Sequence, residues 1–150
     1  MKRYLVLLLF LPLFSLSAQT AAEMDALLET EAVTAAASAR FVLEAARLLP
    51  SGLSGDAAER AAYDMAFSNG WLKGGAADTV TLKDTAFLVM KAFDLKGGIL
   101  HSLFRNPRYA YREMIYQKLI QGRADSSMEV SGRRLLQIIG KTLSQIGEQE

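Results

Sequence analysis

Three times in this chain a β-branched apolar residue and a hydroxyl residue stand directly ahead of an apolar helical pattern: Val33-Thr34, Val80-Thr81 and Val130-Ser131. The intervals are 47 and 50 residues, enough for one helix-loop-helix unit each, so the chain reads as three copies of one module. A hydroxyl in that position accepts from the free amides of a first helical turn. One unit alone could not bury its apolar stripe, and an isolated pair of short helices is marginal in water. The predicted fold is therefore all-α: three helix-loop-helix repeats packed around a common, pseudo-threefold core, with little or no β-structure.

The second unit shows the plan best. Ser54 and Asp56 can cap a helix through Ala58, Ala62, Met65 and Ala66, and Gly70 can close it in the left-handed conformation with Trp71 folding back onto the last turn. A loop with two adjacent glycines, Gly74-Gly75, leads to Thr81, which starts the second helix with Asp84 as the acidic half of a capping box. In the third unit Asn106-Pro107 caps and opens a helix predicted to reach about Leu119. In the first unit a short helix over about Thr20–Leu28 precedes a longer one from Thr34 to Leu49, with Pro50 as its stop. The three second helices align on their caps. Their expected stripes are Ala39, Val42 and Ala46; Ala86, Val89 and Phe93; and Leu136, Ile139 and Leu143, widened by Phe41, Leu88 and Ile138.

The N-terminus reads as a secretory signal. Lys2 and Arg3 precede an apolar stretch from Tyr4 to Leu13 and the small-residue segment Ser15-Leu16-Ser17-Ala18. The stretch is shorter than the ~20 residues a spanning helix needs, so an uncleaved anchor is the weaker reading. Residues 1–18 are taken as signal peptide with Gln19 as the new terminus, and Thr20-Ala21-Ala22 offers later alternatives. Residues 19–150 then form a single domain of three repeats, at about 19–53, 54–105 and 106–150. The chain has no cysteine, which excludes both a lipoprotein signal and a disulfide-stapled domain. His101 is the one histidine and no carboxylates stand at metal-site spacing from it, so no metal and no cofactor are expected.

Charge is segregated along the chain. Lys96, Arg105, Arg108, Arg112, Lys118, Arg123, Arg133, Arg134 and Lys141 are opposed over the same stretch by Glu113, Asp125 and Glu129 alone, while the acidic excess lies towards the N-terminus. Such asymmetry suits an anionic partner or an acidic-to-basic contact with another protein.

The stretch from Ala62 to Leu72, and the capped segment from Val80 to Phe87 after the loop, resemble the S-layer homology domain. Members of that family are exported, helix-loop-helix modules, usually in threes, that attach proteins to cell-wall polysaccharide. The resemblance covers nearly all of the expected mature chain and implies a non-catalytic envelope-binding role. Family members carry a Thr-Arg-Ala-Glu motif at the start of the second helix, whose Arg helps hold the anionic glycan. The matching tetrads here are Thr34-Ala35-Ala36-Ala37, Thr81-Leu82-Lys83-Asp84 and Ser131-Gly132-Arg133-Arg134. The hydroxyl that serves the helix is kept, and the Arg that serves the ligand is replaced by Ala35, Leu82 and Gly132. Lys83, Arg133 and Arg134 are the neighbouring cations able to stand in for it.

Two functional expectations follow. The first is an exported envelope module, in the periplasm or at the cell surface, that binds an anionic glycan through Lys83, Arg133, Arg134 and Arg123. Trp71 would add a stacking face, and the helix starts at Thr81 and Ser131 would add partial positive charge. The second is an interaction or self-association domain that has lost glycan binding and contacts another exported protein. Catalysis is not expected, because no nucleophile-base set, paired carboxylates or phosphate loop is present. Export argues against nucleic acid, and the mature chain has no expected transmembrane segment.

Overall fold

The computed structural model describes residues 12–95 and 106–148, with side chains from residue 21 onward. The part of the expected signal stretch before residue 12, His101, Lys96 and Arg105 lie outside the described residues. The fold is all-α. Among the described residues there are six helices: α1 (Pro12–Glu29), α2 (Ala35–Ala45), α3 (Gly55–Ser68), α4 (Leu82–Ala92), α5 (Pro107–Tyr116) and α6 (Gly132–Gly147). Two isolated antiparallel bridges, Thr34 with Thr79 and Thr81 with Glu129, are the only β-pairing among them.

The helix starts follow their caps. Thr34 accepts from the Ala37 amide at 3.3 Å, Asn106 from the Arg108 and Tyr109 amides at 3.1 and 3.2 Å, and Ser131 from the Arg134 amide at 3.3 Å. Ser54 sits at the N-cap of α3 without a side-chain hydrogen bond. The opening helix expected to start near Thr20 begins at Pro12 instead. Proline suits a first helical position, and neither Pro nor Gly interrupts the chain from there to Glu29.

The helix stops hold the surprise. Gly70, at φ +69°, closes α3 as expected: its amide donates to Phe67 O, and the Trp71 amide donates to Ala66 O at 2.8 Å. Three other helices close in the same left-handed way on non-glycine residues, Arg47, Asp94 and Lys118, at φ +57°, +49° and +61°. The chain then doubles back, with Leu48 donating to Leu43 O, Leu95 to Met90 O and Leu119 to Met114 O, each at 2.9 Å. Consequently α2 stops at Ala45 rather than Leu49, and α5 at Tyr116 rather than Leu119. A left-handed non-glycine residue costs roughly 1–2 kcal/mol. The closing bonds offset this by satisfying carbonyls that the helix end leaves open.

At the centre, backbone hydrogen bonds link the three helix-entering segments in a closed cycle. Val33 N donates to Val130 O (2.8 Å), Val130 N to Val80 O (3.1 Å) and Val80 N to Val33 O (3.0 Å). All three valines are buried. A second cycle surrounds the first and is made by the opening amide of each helix beyond a valine: Ala35 N donates to Asp78 O, Leu82 N to Met128 O and Gly132 N to Thr30 O, at 2.8–2.9 Å. α2, α4 and α6 begin at this double ring. α2 packs on both α4 and α6, while α3 packs on α2, α5 on α4 and α1 on α6.

The expected stripes are only partly the buried faces. Ala39, Val42, Ala86, Val89 and Ile139 are buried, Ala46, Phe93 and Leu136 are half-buried, and Leu143 is 45% exposed. The positions buried in all three helices lie one, four and eight residues after the cap: Ala35, Leu82 and Gly132; Ser38, Thr85 and Leu135; Val42, Val89 and Ile139. The shift arises because these helices are covered on more than one side, so apolar residues recur around most of their circumference. α4 is the extreme case, with eight of its eleven residues buried. Ser38 and Thr85 bring hydroxyls into this interior with no hydrogen-bond partner among the described residues.

Candidate functional site

The start of α4 lies against the third loop, residues 121–129. Leu82 N donates to Met128 O at 2.9 Å and Lys83 N to Ser126 O at 3.1 Å. From the other side, the Arg134 guanidinium reaches over the same loop, with Nη2 donating to Gln121 O at 3.1 Å and Nη1 to Met128 Sδ at 3.3 Å. Arg123 lies within the loop and Arg133 beside Arg134 on α6, and both are exposed. Lys83 through its backbone and Arg134 through its side chain therefore bond to the loop that carries Arg123, and Arg133 follows next to Arg134 in sequence. None of them forms an ion pair among the described residues.

Acids share this surface. Asp125 accepts from the Ser127 hydroxyl and amide, and these bonds hold its carboxyl below the usual carboxylate range. Glu129 accepts from the Thr79 hydroxyl at 2.7 Å. Asp84 accepts from the Thr81 amide at 3.2 Å and from its hydroxyl at 2.5 Å, so Thr81 is occupied with its own helix. Arg123 and Arg133 are exposed, the charge of Arg123 also favours the ionised Asp125 carboxylate, and Arg134 braces the loop.

The other predicted residues stand apart from that cluster. Trp71 is half-buried and packs against the core at the closed end of α3, so its ring serves packing before any ligand. Ser131 caps α6 where that helix meets α1, since the next residue, Gly132, donates to Thr30 O. The positions matching the family's Arg are interior: Ala35 is 1% exposed, Leu82 0%, and Gly132 is buried. A Cβ on Gly132 would fall 1.7 Å from Leu27 O. An arginine at any of the three would have to displace the core. These three positions serve packing.

A second polar feature carries no motif. Arg40 on α2 is 6% exposed. Its guanidinium pairs with Glu23 of α1 and with Glu44 of α2, the latter at 2.9 Å. Burial alone would lower the affinity of this group for its proton; the hydrogen bonds and charges of the two glutamates outweigh burial and keep it above the usual arginine value. Above Arg40 opens a cleft of about 190 Å³ between α1, α2 and α3, lined also by Phe41 and Glu59. An i, i+4 Arg-Glu pair on a helix is ordinary. The partner that makes this one special, Glu23, is 17 residues away, and nothing in the local pattern announces it.

Comparison with models of known families, with curated proteins and with solved structures matched none of them. Among the described residues no group of His, Cys, Asp and Glu could hold a metal ion, and no helix is long and apolar enough to cross a membrane.

Proposed function

We propose that this protein is an exported, non-catalytic binding module of the cell envelope, acting in the periplasm or at the cell surface after removal of its signal peptide. Its ligand is an anionic envelope component of the cell-wall polysaccharide kind. The observation that carries this reading is that cations from three separate stretches of sequence meet at loop 121–129: Lys83 and Arg134 bond to the loop, Arg123 lies in it, and Arg133 adjoins Arg134 on α6. Guanidinium groups offer paired donors to carboxylate or phosphate, and the start of α6 adds partial positive charge beside Arg133 and Arg134. The resemblance to S-layer homology modules and the segregated charge support the same reading.

Purified cell walls provide the test. Wild-type protein should sediment with them, and Arg123→Glu/Arg133→Glu should lose at least about tenfold in retention, because both side chains are exposed and the reversal acts on charge rather than fold. Equal retention of the two proteins would remove this site.

The interior placement of Ala35, Leu82 and Gly132 favours a second reading, in which the module has given up glycan and contacts another exported protein or itself. Charge-driven self-association weakens as salt rises. Sizing over a range of concentrations at low and high salt separates this reading from the first, under which the protein stays monomeric.

A further inference from the structure

The closed end of α3 carries a reactive pair, Asn69-Gly70. An asparagine can cyclise onto its own main chain when the nitrogen of the next residue gives up its proton and attacks the side-chain carbonyl carbon. Ammonia leaves with Nδ2 and the displaced proton, and water then opens the five-membered imide at either carbonyl, returning a proton to the nitrogen. The products are aspartate, or isoaspartate when the main chain runs on through the former side chain; the balance is one water taken up and one ammonia released. The step needs a following nitrogen that bears a proton and can be approached. The chain has two asparagines. Asn106 precedes Pro107, whose nitrogen has no proton to give up. Asn69 precedes a residue with no side chain to shield its nitrogen. Both members of the pair are exposed, so water reaches them, and nothing lies within 4 Å of where a Gly70 Cβ would stand.

The same residues restrain the reaction while the helix end is closed. The nucleophile is engaged, since the Gly70 amide donates to Phe67 O at 2.9 Å. So is the leaving group, since Asn69 Nδ2 donates to Met65 O at 2.8 Å. Cyclisation has to break both bonds, and helix ends are where such bonds open most readily. We infer that Asn69 is a self-modification site, converted to aspartate and isoaspartate each time the last turn of α3 opens long enough to react. Reclosure is then disfavoured. The new carboxylate stands at the negative end of the helix and has no N–H to offer Met65 O. Isoaspartate also adds a main-chain carbon ahead of Gly70, which takes the Gly70 and Trp71 amides out of register with Phe67 O and Ala66 O. Trp71 and Leu72 follow directly and pack on the core, so a chemical change at the surface reaches an interior contact.

Peptide mass spectrometry on folded protein and on protein unfolded in guanidinium chloride, both held at mildly alkaline pH, tests the inference. The unfolded protein should convert at Asn69 at least about tenfold faster than the folded protein, with Asn106 intact in both. Phe67→Gly weakens the last turn at an exposed position and should speed conversion of the folded protein about fivefold, leaving the rate in denaturant unchanged. Trp71 is the chain's single tryptophan, so its emission reports on this helix end. It should move to longer wavelength as isoaspartate accumulates, and should stay constant over the same period in Asn69→Ser. Absent conversion in denaturant, equal rates in folded and unfolded protein, or a Phe67→Gly rate equal to that of wild type would overturn the gated site. Constant Trp71 emission in fully converted protein would overturn the link from the site to the core.

Discussion

Three junctions surround the valine ring, and they are not built alike. At two of them the opening residue of the helix brings a side chain into the interior, Ala35 on α2 and Leu82 on α4. At the third, Gly132 brings none, and the α1 backbone occupies the space instead, with Leu27 O only 1.7 Å from where a Cβ would stand. The Gly132 amide donates to Thr30 O, while its counterparts donate to residues two positions ahead of the next valine, Asp78 and Met128. Side chains fill the joins between consecutive parts of the chain. The join between its two ends is made by backbone contact, which tolerates far less variation, because a peptide group has no rotamers with which to yield.

That contrast can be broken most severely at Gly132. Gly132→Ala should cost more than about 3 kcal/mol, beyond the usual range for overpacking, since the clash is with backbone. Urea denaturation would measure it, and a cost below 1 kcal/mol would mean that α1 is free to shift. The reverse change at a filled junction, Ala35→Gly, removes one buried methyl and stiffens nothing, so about 1 kcal/mol is expected in the same assay. A loss as large as that of Gly132→Ala would show the junctions to be equivalent after all. The smallest effect has the opposite sign: Thr85→Val replaces an unpartnered buried hydroxyl by a methyl of similar size and should raise stability by less than about 1 kcal/mol. A decrease would show that the hydroxyl has a bonding role in solution.

How far the sequence revealed this arrangement depended on whether a residue's role is local. Thr34, Asn106 and Ser131 were readable as caps, and Gly70 as a stop, because capping and left-handed closure are decided within a few residues. Arg47, Asp94 and Lys118 were not readable as stops. They do what glycine ordinarily does, and the bonds that compensate them form only once the helix end is in place. Periodicity identified the helices but chose their inward faces imperfectly, since α4 is buried around most of its surface and offers no polar side for contrast. In the sequence Gly132 stood only at the place of the resembled family's Arg, whereas its neighbour Leu27, more than a hundred residues earlier, leaves no room there for any side chain. Of the candidate site, the cations were legible as a charge excess. Their convergence on loop 121–129 needed the Lys83 and Arg134 hydrogen bonds, and the Arg40 cleft needed Glu23, for which no spacing rule exists.

The ring of valines has a temporal consequence. Its three members sit at positions 33, 80 and 130, so no segment that ends before the last of them contains a complete centre, and contacts of such long sequence separation form late. During synthesis the chain gathers helices without a keystone and sets only after Val130 has been made.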